Sequence, residues 1–439
     1  VDDIAEDRSQ GSLPDSGNVS FYLRMYNARH NQTTPRDLKL SVLPLSSSWQ
    51  EGTGLDMSEY QDITNDDMGS NWINSSANIP WSREGGDYLS SPSYSQTFSL
   101  GNEDLEINIT DLVEQWVAGT ISNNGVGIHL TSSQEAYFSN SSGIDESSQL
   151  FNPSGATTSY YTKKFFARGS EFFFKRPLIE ARWDSSIKDD RGNIYNQSVL
   201  LPSSDNENTI YLYNSHAGKL VDIPGAGLGA GALSVSFYDN ENTDSGKILT
   251  TTPAFVTADR VSKGVYSATF AINTTASVVY DRWFDLGQTV CYHTGNFSIS
   301  DRKAETYNPY PNYVTSLQNL RSVYYSHETA RFRFYIRQKD WSPTIYTIAT
   351  TETDTLTMKS SSYQIHRIVD DMAAIPFDTS TDNSTMMSYD VSGNYFDLSM
   401  GLLEPGYSYG IKVAFYDDSV GSYVEQSPVW KFRVENLES

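Results

Sequence analysis

Cysteine is almost absent from this chain. Cys291 is its one cysteine, so no disulfide can form within the chain, and a eukaryotic secreted protein of this size would usually carry several. No apolar run approaches the roughly 18 residues that a membrane-spanning helix needs. The chain opens at Val1 without a signal-peptide pattern, and we expect a processed or trimmed start.

Positive charge is also scarce. Lysine and arginine number 31 against 54 aspartate and glutamate residues, which gives a net charge of −23. An acidic surface repels phosphate backbones and anionic lipid headgroups, so we predict no nucleic-acid partner and no membrane partner. The charge surplus favours solubility at high concentration.

Aromatic and small polar residues are abundant. Aromatic residues make up 13% of the 439 residues, with 29 tyrosines, whereas charged residues reach only 19%. This balance suits strands and turns better than helices. The length is too great for one hydrophobic core and suits about three domains.

Residues 104–130 predict a strand, a short helix, a turn and a second strand in a chain that otherwise looks all-β. Ile107 and Ile109 alternate with polar residues, as in a half-buried strand. Asp111 precedes Glu114 by three residues, which predicts a capping box at the start of the helix. The apolar face predicted for this helix, and the glycine predicted to end it, consist of Leu112, Val113, Trp116, Val117 and Gly119.

The remaining pattern predicts serial β-sandwiches. Short alternating runs recur between turn residues at intervals of about ten to fifteen residues, which is typical of this architecture. We expect domains at 1–183, 184–300 and 301–439. The predicted strands span 20–26, 38–45, 126–130, 136–139, 170–174, 176–183, 209–213, 233–238, 247–251, 265–272, 331–337, 411–415 and 430–434.

A short motif near the C-terminus points to a known kind of sandwich. Leu403, the Pro405-Gly406 pair and Tyr409 have the spacing found before the penultimate strand of fibronectin type III domains, and the segment resembles that family. In the family, the tyrosine hydroxyl bonds back to the backbone and forms a tyrosine corner. The resemblance implies this part for Tyr409.

An ordered set of aromatic and glycine motifs spans most of residues 20–183. In this order the motifs resemble the DNRLRE-type β-sandwich module of bacterial surface proteins, polysaccharide-associated proteins and phage structural proteins. The resemblance implies a jelly-roll-type sandwich with one short helix for 1–183, followed by two immunoglobulin- or fibronectin III-like domains. The motifs are residues 49–54, Asn71-Trp72, Trp81, residues 85–88, 109–116, 124–128 and 165–183.

The chain as a whole is similar to virion structural proteins of tailed phages, particularly those of marine cyanobacterial phages. The stretches at 51–63, 163–193, 208–214 and 394–418 carry this resemblance. It implies a neck, collar, whisker, fibre or head-decoration protein located in the virion. Its partners would be other virion proteins, symmetric copies of itself and, as an open question, a host-surface glycan.

Two patterns invite a ligand interpretation. The glycine-rich stretch at 225–231 has Ala230 where a dinucleotide-binding loop needs its third glycine, and a strand rather than a helix follows, so we predict a turn and no cofactor. Residues 239–244 supply closely spaced oxygen atoms for Ca²⁺, but Thr250 stands where an EF-hand has glutamate. We favour solvated turns and leave metal binding open. A second weak calcium cluster consists of Asp62, Asp66 and Asp67.

Catalytic patterns are missing from the sequence. The histidines lack the spacing of a helical zinc site, and Cys291 has His293 nearby but no carboxylate to orient it. No G-x-S-x-G motif occurs, and no carboxylate pair stands out among many. We therefore predict no catalytic residue. The six histidines are His30, His129, His216, His293, His327 and His366.

The aromatic residues have two interpretations. For the four tryptophans of the first segment we favour core packing, with a sugar-stacking platform as the alternative. The tyrosine-rich stretch at 307–313 predicts either an interface or a linker. The four tryptophans are Trp49, Trp72, Trp81 and Trp116.

These observations favour a non-enzymatic structural protein that binds through strand edges and aromatic patches. A secreted or surface polysaccharide-binding protein is the first alternative. A polysaccharide-degrading enzyme is the second, and it would require a carboxylate-lined cleft.

Overall fold

The regular secondary structure in the computed structural model of this chain is mostly β-strand. Strands account for 44% of it and helices for 8%, so the all-β, tandem-sandwich prediction is confirmed. The residues that the structure describes are 2–30, 36–51, 69–71, 74–82, 85–131, 133–134, 163–241, 249–301, 312–339 and 355–436.

The chain divides into two compact units. The first consists of Val1–Ser9 and Val19–Arg182, and the second of Gln10–Asn18 and Trp183–Ser439. The division into domains at 184–300 and 301–439 stays a prediction.

The first unit contains two three-stranded antiparallel sheets, with strand orders β6-β1-β8 and β5-β2-β7, and a small hairpin of β3 and β4. Its side chains alternate between buried and exposed along β2, as the period of two requires. The elements are α1 (Asp2–Gln10), β1 (Ser20–Met25), β2 (Leu38–Pro44), β3 (Asn74–Ser76), β4 (Ile79–Pro80), β5 (Tyr94–Phe98), β6 (Leu105–Asn108), α2 (Thr110–Val117), β7 (Val126–Leu130) and β8 (Leu178–Arg182).

Helix α2 packs the predicted apolar face, since Leu112, Val113 and Trp116 are buried. The predicted capping box is wrong. No side chain caps the helix at Ile109, because Asp111 lies inside the first turn, where it accepts a hydrogen bond from the Tyr94 hydroxyl. The Asp111 carboxylate, which a capping box would need, therefore binds Tyr94 instead.

Of the strands predicted in this unit, one is wrong and one lies outside the described residues. The strand predicted at 170–174 is wrong, because this stretch forms a turn that leads into a 3₁₀-helix at Phe173–Lys175. Arg176 Nε donates to the Ser170 carbonyl at 2.9 Å and closes the turn, which an extended backbone would not allow. The strand predicted at 136–139 lies outside the described residues.

The N-terminal half of the second unit forms an eight-stranded sheet with the order β10-β16-β15-β13-β17-β18-β9, to which β14 adds beside β16, and a β11–β12 hairpin. The alternating run at 265–272 is β16, and its predicted inward face is buried. The strands are β9 (Ile194–Tyr195), β10 (Asn208–Tyr213), β11 (Ser215–His216), β12 (Lys219–Leu220), β13 (Leu233–Tyr238), β14 (Thr251–Thr252), β15 (Val256–Ser262), β16 (Val265–Ile272), β17 (Val278–Phe284) and β18 (Cys291–Ser300).

The C-terminal half has two sheets, with the orders β19-β21-β25-β24 and β20-β28-β26-β22-β23, and β27 pairs with β26. The Tyr409 hydroxyl donates to the Glu404 carbonyl at 2.7 Å, so the predicted tyrosine corner is present. The strands are β19 (Tyr313–Leu317), β20 (Val323–Tyr325), β21 (Thr329–Gln338), β22 (Ser361–Arg367), β23 (Met372–Ile375), β24 (Ser388–Asp390), β25 (Gly393–Ser399), β26 (Ser408–Asp417), β27 (Ser422–Glu425) and β28 (Trp430–Glu435).

A polar connector ties the two halves of the second unit together. Lys188 forms a parallel bridge with Tyr389 of β24. The amide of Tyr389 donates to the Ile187 carbonyl at 2.9 Å, and the Asp189 amide donates to the Tyr389 carbonyl at 3.1 Å. Three residues of the connector therefore pair like a short strand with the C-terminal half.

Candidate functional site

An open groove of about 1360 Å³ lies in the first unit, beside the end of β1 and the turn that precedes β8. The segment 163–176 supplies most of its wall. We call this site the basic groove, and define it by Arg29, Lys164, Phe166, Arg168, Phe172 and Lys175.

Aromatic rings and an ammonium group form one wall of the basic groove. Phe166 and Phe172 meet edge to face with centroids 5.6 Å apart. Lys175 Nζ lies 5.1 Å from the Phe166 centroid and 5.6 Å from the Phe172 centroid, within cation–π range of both. Phe172 remains 49% exposed, so this wall offers apolar area to a ligand.

A half-buried lysine, Lys163, fixes the backbone next to the groove. Lys163 Nζ donates to Asn27 Oδ1 at 2.8 Å, to the Gly101 carbonyl at 3.0 Å and to the Glu103 carbonyl at 2.6 Å. Burial lowers the pKa of Lys163. Three hydrogen bonds from one ammonium hold the start of the segment against the sandwich.

Charge is segregated around this groove. The segment 163–182 contains six lysine and arginine residues and two glutamates, a surplus of four positive charges, whereas the rest of the chain carries −27. Arg168 is paired with Glu51 at 2.8 Å, but both side chains are more than half exposed, so the pair contributes little stability. Within the described residues, Lys164 and Lys175 pair with no carboxylate.

Strand β8 continues the same surface as an incompletely covered sheet edge. Ile179 lies directly opposite Leu23 of β1, so the two side chains point to the same face of the sheet. Leu23 is 7% exposed, whereas Ile179 is 45% exposed. The inward face of the sandwich is therefore open at its β8 edge.

The outward face of this sheet carries an alternating ion-pair network. Arg24 donates to Glu180 at 2.8 Å, and Arg182 reaches Glu106 at 2.8 Å and Glu180 at 3.1 Å. Burial alone would raise the pKa of Glu180, but hydrogen bonds from Arg182 and Arg24 outweigh it and hold that pKa below its usual value. The network fixes the register of β8 beside the groove.

The structure shows no ligand site at the described residues of the glycine-rich stretch and the acidic clusters. The glycine-rich stretch at 225–231 is a turn before β13, as predicted, and Leu228 within it is 74% exposed. The carbonyls of Asn240 and Glu241 accept from the buried Arg282 side chain. Asp62, Asp66, Asp67 and residues 242–244 lie outside the described residues.

The histidines are not brought together. His366 is buried in β22, where burial lowers its pKa, and His129 packs on Tyr88 with centroids 5.1 Å apart. Cys291 and His293 lie on the exposed strand β18. Among the described residues, no group of three histidine, cysteine, aspartate or glutamate side chains is placed to hold a metal ion.

The tryptophans differ from one another. Trp116 is 6% exposed and belongs to the core, as predicted, and Trp81 is half-buried with its indole N–H on the Asn71 carbonyl at 2.9 Å. Core packing is the wrong prediction for Trp49, which is 45% exposed because its indole N–H reaches out to the Asn124 carbonyl at 2.8 Å. Trp72 and residues 307–311 lie outside the described residues.

Sequence reasoning missed the basic groove. Its signal was the cluster of basic residues between 163 and 182 in an otherwise acidic chain. The resemblance to the DNRLRE-type module also rests on this stretch, and the strand predicted at 170–174 lies in its middle. Within the described part of the chain, neither helix has the length and apolarity to cross a membrane.

Comparisons with known proteins give no family. No family model and no curated protein matches this chain. Among solved structures, the adhesin InvE of Yersinia pseudotuberculosis is 12% identical over 52% of this chain, with a TM-score of 0.16. An alpha-2-macroglobulin from Escherichia coli is 8% identical over 95% of this chain, with a TM-score of 0.17. The chain spans 59% and 22% of the lengths of these two proteins.

Proposed function

We propose that this protein is a non-enzymatic structural component of a tailed-phage virion, such as a neck, fibre or head-decoration protein, that works in repeated copies. The observation that carries the proposal is the segregation of charge on a β-sandwich scaffold. One basic, aromatic surface stands out on a chain that is otherwise strongly acidic. Opposite charges on the surface of one chain favour contacts between copies, and they suppress wrong registers.

Two further features support an assembling protein. Interface cores are enriched in phenylalanine and arginine, which line the basic groove. The open edge of β8 leaves backbone groups for a further strand, and serial sandwiches assemble readily through such edges. The resemblance of the chain to phage virion proteins supplies the biological setting of the proposal.

The test is to locate the protein in a particle. Phage particles whose genome encodes this chain are purified, their proteins are identified by mass spectrometry, and the particle is imaged by cryo-electron microscopy. The proposal expects the chain in the particle, in a copy number set by the local symmetry. Its absence from purified particles would overturn the proposal.

Glycan binding is the second candidate, because the groove combines phenyl rings with amide groups. Asn27 and Asn102 line it next to Phe166 and Phe172, and sugars take hydrogen bonds from amides and stack on rings. A glycan-array screen of the full chain tests this candidate. Binding that is lost in the double variant F166A/F172A would support it, and binding that survives would place the glycan elsewhere.

A further inference from the structure

The second unit displays two aliphatic side chains at nearly full exposure. Val199 is 97% exposed and Leu200 is 89% exposed. They lie at the tip of the loop between β9 and β10. We call residues 198–206 the aliphatic loop. Two adjacent aliphatic side chains at this exposure offer apolar area that a partner could bury.

This loop is held by a buried amide. Asn206 is 2% exposed. Its Oδ1 accepts from the Ser198 amide at 2.8 Å, and its Nδ2 donates to the Ser198 carbonyl at 2.9 Å and to the Pro202 carbonyl at 3.3 Å. One side chain therefore joins the two ends of the loop, so that Val199 and Leu200 are presented in a preorganised conformation, which lowers the entropy cost of docking.

The charge around the aliphatic loop is negative. Asp205 within the loop and Glu207 directly after it are exposed, and no lysine or arginine occurs between residues 192 and 218. The loop is thus a convex aliphatic tip with an acidic rim. The basic groove is the opposite in both respects, since it is concave and aromatic, and its lining cations outnumber its lining carboxylates, Glu51 and Asp104, by four to two.

We propose that the aliphatic loop of one copy of this chain docks into the basic groove of another copy. Val199 and Leu200 would contact Phe166 and Phe172, while the acidic rim would face the lysine and arginine side chains. The two surfaces differ, so a single contact leaves one loop and one groove unoccupied, and further copies can add there until a ring closes or a filament grows. The proposal deepens the proposed function, on which it rests for its biological setting.

A contact made by one loop tip buries little surface and is therefore weak. Repeated copies in an assembly strengthen it by avidity. Sedimentation velocity of the full chain over a range of protein concentrations is therefore the appropriate measurement. We expect a weight-average mass that rises with concentration and falls with added salt, since salt screens charges that are exposed at the rim.

Three variants locate the contact. The groove variant R168E/K175E and the loop variant D205K/E207K reverse the charge on one side each, and each should weaken association by about tenfold or more. The tip variant V199E/L200E should weaken association by at least the same factor. All six side chains are partly or fully exposed, so the variants should keep their fold, which melting curves check.

A mixture of the groove variant and the loop variant gives the decisive test. In the mixture, the unaltered loop of the groove variant meets the unaltered groove of the loop variant, and the reversed loop meets the reversed groove. The mixture should therefore associate more strongly than either variant does alone. The control variants K431E and V420E change an exposed lysine and a 63% exposed valine elsewhere, and they should associate like the parent.

The outcomes separate this inference from the proposed function. A monomer at all concentrations, or association that the three variants leave unchanged, would overturn the inference. Symmetric copies in a particle that meet through other surfaces would overturn the inference and leave the function standing. If the mixture restores association but no phage particle contains the chain, the result would support the contact and overturn the virion proposal.

Discussion

At the residue scale, the second unit depends on a buried carboxylate. Asp281 is fully buried in β17. It accepts from Arg191 at 2.5 and 2.7 Å and from the Trp283 indole N–H at 2.7 Å. Arg191 belongs to the polar connector, so this carboxylate anchors the connector to the sheet.

We expect Asp281→Ala to lower the free energy of unfolding by about 3–5 kcal/mol, because it leaves Arg191 and the Trp283 N–H without their buried acceptor. Urea titration measures the change. The control is Asp397→Ala, which breaks a pair of the same bidentate geometry between Arg331 and Asp397, both nearly half exposed, and should cost less than about 1 kcal/mol. Equal costs for the two variants would contradict this account.

The tyrosine corner gives a second prediction for a single residue. Tyr409→Phe removes the hydroxyl that bonds the Glu404 carbonyl at 2.7 Å, and we expect a loss of about 1–2 kcal/mol because the carbonyl loses its partner. Tyr416→Phe on the same strand is the control, since this side chain is 43% exposed and should change stability by less than about 0.5 kcal/mol. Thermal melts of both variants measure the difference in stability. A melting temperature that Tyr409→Phe leaves unchanged would mean that the tyrosine corner contributes no stability.

At the scale of elements, one aspartate joins a loop to a hairpin. Asp222 accepts from Arg260 of β15 at 2.8 and 3.0 Å and from the Gly264 amide, in the β15–β16 turn, at 2.8 Å. The hydrogen bonds from Arg260 hold the pKa of Asp222 below its usual value. Gly264 has a φ of +69°, and an added Cβ would lie 2.7 Å from the Asn214 carbonyl oxygen, so this tight turn requires glycine.

The pKa of Asp222 predicts a pH dependence. Because its folded-state pKa lies below the unfolded value of about 3.9, its stabilisation is present above that pH and is lost as the pH falls through the folded-state value. Asp222→Asn should therefore lower the urea midpoint at neutral pH and flatten its fall between about pH 5 and pH 2.

Asp190→Asn is the matched control, because burial raises the pKa of Asp190. Its ionised form is disfavoured in the folded state, so this variant should remove a loss of stability that sets in as the pH rises above about 4. The same pH profile in both variants would contradict the assignment of the two carboxylates.

Local patterns predicted the elements whose causes are local. The alternation of Tyr266, Ala268, Phe270 and Ile272 identified β16, and the spacing before Tyr409 identified the corner. Helix α1 could not be predicted in this way, since none of its residues is buried and its anchor, Arg8, reaches Glu114 across 106 positions. Such contacts between distant parts of the sequence leave no periodic trace.

The basic groove escaped prediction for the same reason. Its wall joins Asn27, Asn102 and Phe172, which come from three separate stretches of sequence. Only the local surplus of lysine and arginine near Lys175 was visible in the sequence. A turn was also mistaken for a strand there, because three consecutive phenylalanines have high β propensity while the closing bond between Arg176 and Ser170 is not a sequence pattern.

At the scale of the whole molecule, we expect the two halves of the second unit to unfold together. The connector pairs with Tyr389, and the Ile187 amide donates to Ser388 Oγ at 2.9 Å. Ile187→Pro removes that donor and restricts the backbone, so calorimetry should show the endotherm of this unit broadened or split. Ile187→Ala keeps the amide and removes a side chain that is 40% exposed, so the second unit should keep a single endotherm. Separate endotherms for the two halves of the second unit in the parent protein would contradict this expectation.

The role proposed for this chain is that of a structural subunit that works in repeated copies. Cryo-electron microscopy of purified phage particles whose genome encodes it is the most direct test. We expect density for both units in symmetric copies on the head, neck or tail. Particles that contain no copy of the chain, together with a protein that stays monomeric in solution, would contradict it.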